Sequence, residues 1–286
     1  MPKVAYDVLH PEKRTSCVVF ASPHSGRDYP WSFLRRTVLD EKTIRSSEDA
    51  FVDQLFDMAP IYGAPLLKAG APRAFVDLNR SADELDPALI EGVRRQGHNP
   101  RVASGLGVIP RVVANGRVIY RGKLTMREAE RRIDLYWRPY HQMLQKLLDG
   151  AHHAHGQAVL IDCHSMPHEA MDGITRKGMA RPDVVLGDRF GAAASGEVVD
   201  LVEAAFASAG FTVVRNAPFA GAYITQAYGR PPRNQHAIQV EIDRSLYMNE
   251  RLIRPSAAFD EMRARLRSVV AEISTIGQMR MPLAAE

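Results

Sequence analysis

The sequence contains little cysteine, no long hydrophobic run and no concentrated block of one charge. Cys17 and Cys163 are the two cysteines among 286 residues, and both lie in short apolar runs. A disulfide framework is therefore excluded, and we expect two buried, reduced thiols. No apolar stretch approaches the ~18 residues of a membrane span, and charged residues such as Lys3 and Asp7 precede the first apolar run, so we expect neither a membrane segment nor a secretory signal. These absences predict a cytoplasmic protein.

The charge balance gives little support for nucleic-acid binding. Lys and Arg number 37 against 33 Asp and Glu, a net charge of +4, and the basic residues are scattered rather than gathered into a patch. Hydrophobic residues make up 45% and charged residues 24%, as in ordinary globular proteins, and the chain shows neither a repeat nor a low-complexity linker. We therefore expect one domain over residues 1–286, with its core at about 17–275, and no nucleic-acid or membrane partner.

Short β-branched runs alternate with longer periodic segments, a pattern typical of an α/β sheet covered by helices. The predicted strands are 17–21, 64–68, 73–78, 158–163, 183–186, 211–215 and 237–242. The predicted helices begin after Ser46 or Ser47, at Thr125, near Val198 and near Phe259. Thr125 and Glu128 form a capping box for the second of these helices. Asn115-Gly116 between two apolar runs predicts a hairpin that interrupts the alternation.

Polar residues collect at the predicted strand ends, where open α/β sheets bind ligands. His24 follows the first of these strands, and Asp162 and His164 close the strand that begins at Ala158. Asp162 and His164 point to one side of that strand, so the carboxylate can hold one ring nitrogen while the other binds a metal. A buried histidine satisfied by its neighbour is the structural alternative.

A carboxylate near the predicted helix start can complete such a site. Two histidines, one acid and an open water position form the arrangement of hydrolytic zinc sites. Glu48 and Asp49 are both candidates, and the residues alone do not decide between them. Acids in the first turn of a helix also favour its dipole, so they have an explanation without function.

A further acid is a candidate general base. Gln239, Glu241 and Asp243 share one face of a predicted strand whose other face is apolar, which indicates a cleft or a solvated edge. Metal-assisted hydrolysis needs a base beside the attacking water, and Glu241 is the candidate.

Substrate-binding groups follow the predicted strand 73–78. Arg80 can grip a carboxylate with two hydrogen bonds, and Asn79 can add a third. Arg121, after the hairpin, is a weaker second cation with surface charge as its alternative. Tyr223 lies in a segment of small and aromatic residues, 221–231, that has the composition of a lid or of an ordinary Ω-type loop.

These residues together resemble the N-formylglutamate amidohydrolase family, a relative of the zinc carboxypeptidases, over about residues 18–250. The resemblance is carried by Pro23-His24-Ser25-Gly26, by Glu48-Asp49 followed by Val52-Asp53-Gln54-Leu55, by Val76-Asp77-Leu78-Asn79-Arg80, by Leu160-Ile161-Asp162-Cys163-His164-Ser165, and by Gly221 to Pro231 with His236, Gln239 and Glu241. It is the ordered set, rather than any single motif, that is specific. It implies a single α/β domain with a mixed, mostly parallel sheet sandwiched by helices, like that of the zinc carboxypeptidases.

The looser carboxypeptidase resemblance also implies roles for individual residues. It implies zinc on two histidines and one acid, an Asn-Arg pair on the substrate α-carboxylate and a late Glu base. His24, His164, Asn79, Arg80 and Glu241 match these roles in chain order. Zinc carboxypeptidases place the metal acid three residues after the first histidine, where this chain has Arg27. The metal acid must then come from elsewhere. Within the amidohydrolase family, the position that best matches a recurring Asp, counted back from Val52-Asp53, is Asp49, so the resemblance favours Asp49, with Glu48 in reserve.

The function implied is that of a zinc-dependent amidohydrolase, which cleaves N-formyl-L-glutamate to formate and L-glutamate as in histidine degradation. We expect one Zn²⁺ per chain, or another divalent metal, and a small N-acyl amino acid as partner, with Arg121 as the cation for its acidic side chain. A zinc carboxypeptidase or another N-acyl amino acid hydrolase with the same site is the alternative. A non-catalytic anion-binding or nucleic-acid-binding protein would leave the ordered acids and histidines unexplained.

Overall fold

The computed structural model describes residues 1–94, 99–173 and 181–278. These residues form a central seven-stranded sheet. Its strands are β1 (Tyr6–Leu9), β2 (Val18–Ser22), β3 (Leu66–Ala69), β4 (Ala158–Met166), β5 (Val184–Gly187), β6 (Val213–Arg215) and β7 (Gln235–Asp243). Their order is β1-β3-β2-β4-β7-β5-β6. The pairs β3/β2, β2/β4, β4/β7 and β5/β6 are parallel, while β1/β3 and β7/β5 are antiparallel. The sheet is therefore mixed and mostly parallel, as expected. A small antiparallel pair, β8 (Met248–Asn249) and β9 (Arg254–Pro255), lies outside it.

Helices cover both faces of this sheet. The α-helices are α1 (Trp31–Leu34), α2 (Glu41–Ile44), α3 (Val52–Leu55), α4 (Pro100–Ala103), α5 (Met126–Arg132), α6 (Arg138–His155), α7 (Gly196–Ser208), α8 (Tyr223–Tyr228) and α9 (Phe259–Ile273). Short 3₁₀ turns occupy Ala59–Tyr62, Ala114–Gly116, His168–Met171, Pro231–Arg233 and Arg244–Leu246. A π-helical turn, Ile133–Trp137, joins α5 to α6 into one long rod.

Alternating side chains of the central strands divide the core into two halves. On β4, Val159, Ile161 and Cys163 pack with α7 and α9, whereas Ala158 and Leu160 pack with α6. Because strand side chains alternate, Asp162 and His164 must face the same side as Leu160. On β7 the same alternation puts Gln239 and Glu241 on that side too. The polar residues at the carboxyl ends of β4 and β7 therefore lie on the α6 side of the sheet.

Two segments differ from their predicted structure. Residues 73–78 form turns rather than a strand, since the N–H of Asp77 donates to Val108 O at 2.8 Å in a neighbouring loop and not to a sheet partner. The helix predicted after Ser46 or Ser47 is reduced to the single turn α3. It starts only after Phe51, whose φ of 68° is left-handed, so no helix runs through the preceding residues. Periodicity failed in both places because loop contacts set the backbone.

The other predicted features are present in modified form. Thr125 caps α5 by accepting a hydrogen bond from the N–H of Glu128, as the capping box predicts. Asn115 and Gly116 form the predicted tight turn with φ of 59° and 67°, but the flanking residues pair only through the isolated bridge Val112–Val118. The predicted turn is therefore present, but the two-stranded ribbon expected on either side of it is not formed.

The sheet and its two helical layers form one α/β domain, as predicted. Cys17 and Cys163 are unpaired and buried, which confirms the absence of a disulfide between them. Across the described ranges of the chain, no helix has both the length and the apolar character needed to cross a bilayer.

Candidate metal centre and active site

The carboxyl ends of β2 and β4 bring the two predicted histidines together. His24 follows β2, and the turn after it is tight because a Cβ on Gly26 would lie 2.1 Å from Ala71 O, so only glycine fits there. His164 is the seventh residue of β4. Their ring centroids are 4.8 Å apart. The loop before α3 supplies the third group, since the N–H of Asp49 donates to His24 O at 3.0 Å and fixes the carboxylate beside both rings.

His24, Asp49 and His164 form a compact, buried set of metal-ligand atoms. Each offers one atom that lies within 4.8 Å of the others. Asp49 Oδ2 is 2.9 Å from His164 Nδ1 and 3.4 Å from His24 Nδ1. His24 Nδ1 is buried and makes no hydrogen bond. Asp49, rather than Glu48, is therefore the acid that the structure places with the histidines.

The outer nitrogens of both rings face carboxylates. His24 Nε2 lies 2.7 Å from Asp77 Oδ1, and His164 Nε2 lies 3.0 Å from Asp162 Oδ2. Metal-binding histidines in general present their second nitrogen to a carboxylate in this way, which fixes the ring and the tautomer. Asp162 lies beside the second ring nitrogen of His164, as a carboxylate that orients a metal-binding histidine would. Asp77 makes the equivalent contact with His24.

The electrostatics of the centre favour a cation. Burial opposes ionisation of Asp49, yet the hydrogen bond from His164 and the charge of the neighbouring His164 and His24 rings hold the pKa of its carboxyl well below the usual value. Burial likewise opposes protonation of His164, but the charge of Asp162 and hydrogen bonds to Asp162 and Asp49 raise its pKa well above that of a free histidine. The surrounding carboxylates therefore favour a positive charge at the two rings. Two imidazoles and one carboxylate, backed by further carboxylates, form a donor set that fits a zinc ion.

Two arginines neutralise the acids from outside. Arg244 Nη2 lies 2.9 Å from Asp49 Oδ1, and its Nε donates to Ser165 Oγ at 3.1 Å, so the Oδ1 atom of Asp49 is occupied and Oδ2 faces the rings. Arg73 Nε lies 3.1 Å from Asp77 Oδ2. Sequence analysis did not single out these residues. Arg73 lies in a predicted strand and Arg244 follows one, and a charged residue adjoining an apolar run was the available signal.

Glu241 stands beside the metal-ligand set on the neighbouring strand. It pairs in register with His164 across β4 and β7. Gln239 Nε2 donates to Glu241 Oε1 at 2.8 Å, while Gln239 Oε1 accepts from the N–H of Ala222 at 3.1 Å. Burial raises the pKa of Glu241 to about 7, against the nearby charge of His164. A carboxyl with this pKa can take and return a proton near neutral pH.

These groups line one cavity of about 560 Å³. Its walls include the carboxyl ends of β4 and β7, the loop 218–222 and the segment from Arg101 to Gly116. Arg80 lines it as well, and its Nε and Nη1 donate to Leu106 O and Asn79 O. The Asn79 side-chain amide is held by the protein on both sides, because Oδ1 accepts from the N–H of Ile224 at 2.8 Å, while Nδ2 lies 3.2 Å from His164 Nε2 and 3.4 Å from Gln239 Oε1.

Three predicted site residues lie away from this cavity. Glu48 is buried, but its carboxylate is bound by Arg45, at 3.0 Å from both Nε and Nη2. Arg121 is exposed and does not line the cavity. Tyr223 also lies outside the lining, and its ring packs on Trp137 and His141 at centroid distances of 5.8 and 5.5 Å. These three residues lie in supporting or surface positions. The sequence does not show in which direction their side chains point, so it could not separate them from the residues that line the cavity.

Comparison with known proteins agrees with this geometry. The model of the N-formylglutamate amidohydrolase family matches residues 16–248. The N-formylglutamate deformylase of Pseudomonas putida is 30% identical over 240 residues, 82% of either chain, and that of Pseudomonas aeruginosa is 30% identical over 244 residues, 82% of this chain and 83% of its own. The solved N-formylglutamate amidohydrolase of Ralstonia eutropha JMP134 is 34% identical, with a TM-score of 0.87 over 96% of this chain and 97% of its own. The chain belongs to the N-formylglutamate amidohydrolase family.

Proposed function

We propose that this hydrolase cleaves the N-formyl amide of an acidic amino acid, converting N-formyl-L-glutamate and water to formate and L-glutamate. The observation that carries the proposal is the convergence of His24, Asp49 and His164 beside Glu241 in one cavity that also contains Arg80. Family membership and the names of the relatives support the amide bond and the substrate class.

His24 Nδ1, Asp49 Oδ2 and His164 Nδ1 would hold one zinc ion, with Asp77 and Asp162 fixing the two rings. Bound there, zinc supplies Lewis acidity for the formyl carbonyl and for the attacking water. Another divalent metal would be accepted by the same donor set. The buried His24 Nδ1, which has no hydrogen bond, is the atom that most directly calls for such a ligand.

Glu241 acts as the base and then as the acid. It takes a proton from the water whose oxygen forms the bond to the formyl carbon. It then delivers that proton to the amide nitrogen as the carbon–nitrogen bond breaks, which releases formate and the free amine. Gln239 holds one Glu241 oxygen at 2.8 Å, so the other oxygen is the one available for this transfer.

Arg80 orients the substrate through its α-carboxylate. Two of its donor atoms are fixed on backbone oxygens, which leaves Nη2 directed by a rigid guanidinium plane. Asn79 helps to fix Arg80, because its backbone oxygen accepts from Arg80 Nη1 and its own side chain is held between the N–H of Ile224 and Gln239. Such fixation of the reacting group beside the base supplies much of the rate enhancement of a hydrolase.

We also assign the reaction to histidine degradation in the cytoplasm. The names of the relatives fit the substrate of that pathway, and two free, buried thiols fit a reducing compartment.

Metal analysis coupled to an activity assay tests the proposal. We expect purified protein to contain about one equivalent of zinc and to release formate from N-formyl-L-glutamate. His24→Ala should lose metal and activity together. Activity in a metal-free His24→Ala variant would contradict the mechanism, and release of amino acids from peptides instead of formate would favour a carboxypeptidase. Hydrolysis of other N-acyl groups at equal rates would widen the substrate class.

A further inference from the structure

Two arginine side chains of the cavity, Arg80 and Arg101, have no carboxylate partner among the residues that the structure describes. Arg73 and Arg244 line the same cavity, but each is paired with an aspartate of the metal centre. Arg80 binds only backbone oxygens through Nε and Nη1. Arg101, on α4, is exposed, and its guanidinium makes neither a hydrogen bond nor an ion pair with any residue in the described ranges. The cavity therefore presents two guanidinium groups whose charge no contacting acid neutralises.

One residue fixes these two arginines relative to each other. The N–H of Leu106 donates to Arg101 O at 2.8 Å, and Leu106 O accepts from Arg80 Nε at 3.0 Å. The start of α4 is fixed as well, because Asn99 Oδ1 accepts from the N–H groups of Arg101 and Val102. The backbone of Arg101 is consequently fixed in the wall of the cavity, close to the Arg80 guanidinium.

An N-acylated acidic amino acid carries two carboxylates, and so it needs two cations at a fixed separation. A guanidinium that lacks a protein acid breaks no ion pair when it binds a carboxylate, and the charged hydrogen bonds are strong and directional. Arg121, the second cation suggested by the sequence, is outside the cavity and cannot meet this need from its position.

We propose that Arg101 binds the side-chain carboxylate of the substrate while Arg80 binds its α-carboxylate, so that Arg101 determines the preference for acidic amino acids. This inference rests on the proposed function, because it names the second anchor of that same substrate. It assigns selectivity, and not the chemical step, to Arg101.

The test compares N-formyl-L-glutamate with N-formyl-L-glutamine, which has the same shape and no side-chain charge. Arg101→Met should lower kcat/KM for the glutamate substrate by about 10-fold or more, which corresponds to about 1.4 kcal/mol. Its kcat/KM for the glutamine substrate should stay near the wild-type value. Because the Arg101 side chain is exposed and makes neither a hydrogen bond nor an ion pair with a described residue, we expect the substitution to leave the fold intact, and a thermal melt checks this.

Two matched variants separate a direct contact from a general effect of charge. Arg127→Met removes a charge from an exposed position on α5, and Arg121→Met removes the cation suggested by the sequence. Both should leave the ratio of the two kcat/KM values unchanged. A loss of selectivity in Arg121→Met, or an equal loss in all three variants, would overturn the assignment.

A third substrate fixes which carboxylate Arg101 meets. N-formyl-L-isoglutamine keeps the side-chain carboxylate and replaces the α-carboxylate by an amide, so Arg101→Met should still slow its hydrolysis. If the effect of Arg101→Met disappears with isoglutamine and persists with glutamine, Arg101 binds the α-carboxylate and the proposal is wrong. If the wild type hydrolyses none of the three, the proposed function itself fails. If it hydrolyses them but Arg101→Met changes no ratio, only the role of Arg101 fails.

Discussion

At the scale of single residues, the two histidines of the centre are held in an unbroken chain of carboxylates. The order is Asp77, His24, Asp49, His164 and Asp162, with each ring between two acids. Rotation of either ring would break its short contacts with these buried acids, which is costly in a water-poor interior. The positions of the ligand atoms are therefore set before any metal binds, and little reorganisation is needed for binding.

Glu241→Gln should keep zinc and lose most turnover. The amide preserves the shape and the contact with Gln239 but cannot take a proton, and a general base contributes about 10²–10⁴-fold. Measurements of zinc content and kcat on the same preparation check this. Loss of zinc in this variant would instead make Glu241 a ligand, and retained turnover would move the base elsewhere.

The activity of the wild type should depend on the protonation of Glu241. Burial raises the pKa of Glu241 to about 7 in the metal-free protein, and a cation in the centre lowers it. In the zinc-loaded enzyme, kcat/KM should therefore rise with pH and reach its plateau below pH 7.

At the scale of elements, the long helix formed by α5 and α6 supports the short stretch from Leu78 to Arg80. His141 on α6 donates from Nε2 to Leu78 O and is hydrogen-bonded through Nδ1 to Tyr228 Oη, both at 2.9 Å. Trp137 Nε1 donates to Arg80 O at 2.8 Å. A helix thus fixes both ends of the short stretch that carries Asn79 and Arg80.

His141 should make stability depend on pH. Burial lowers the pKa of His141 to about 4, against a hydrogen bond to Leu78 O. The unfolded chain titrates near 6.5, so it binds more protons than the folded protein between these values. The contribution of His141 to folding is therefore complete above about pH 6.5 and is lost as pH falls towards 4, by at most about 3 kcal/mol.

Urea unfolding of the metal-free protein at pH 7.5, 6 and 5 measures this loss. His141→Gln keeps a polar side chain that does not titrate, so its free energy of unfolding should fall less steeply with decreasing pH than that of the wild type. Other histidines cancel in the comparison because both proteins contain them. Parallel curves for the two proteins would show that His141 does not titrate in this range.

How far the sequence predicts the elements depends on where their hydrogen bonds go. The apolar runs of β4 and β7 predict strands because backbone partners lie in the same sheet. Residues 73–78 have a similar composition, yet their groups bond to the loop at Val108, a partner that no local pattern reveals. The same holds within the site. His24, His164 and Glu241 follow from strand ends, whereas the choice of Asp49 over Glu48 depends on the bond from Asp49 to His24 O.

At the scale of the whole molecule, the metal centre joins segments from distant parts of the chain. Asp49 and His164 are 115 residues apart in sequence, and Asp49 and Arg244 are 195 apart. A ligand bound to His24, Asp49 and His164 links the β2 loop, the loop before α3 and strand β4. Unfolding any of these segments must therefore release it.

Zinc should accordingly raise the melting temperature of the full chain. A ligand at 100 times its Kd stabilises the folded state by about 2.7 kcal/mol, which for a protein of this size is a shift of several degrees. Thermal unfolding with saturating zinc and with a chelator measures the difference. His24→Ala is the control, since it should melt at the same temperature under both conditions. An equal zinc-dependent shift in the variant would place the stabilising ion elsewhere.

The π-helical turn Ile133–Trp137 changes the direction in which the side chains of the following helix, α6, point relative to those of α5. An extra residue in one turn rotates the downstream half by about 100° relative to the upstream half. The upstream half ends in Arg132, which donates to Phe75 O and Tyr120 Oη, while the π-helical turn itself ends in Trp137, which donates to Arg80 O. The inserted residue thus lets one long helix contact both ends of the segment from Phe75 to Arg80. Without it, one of these two contacts would have to be rebuilt, so the geometry of this segment depends on the length of the turn.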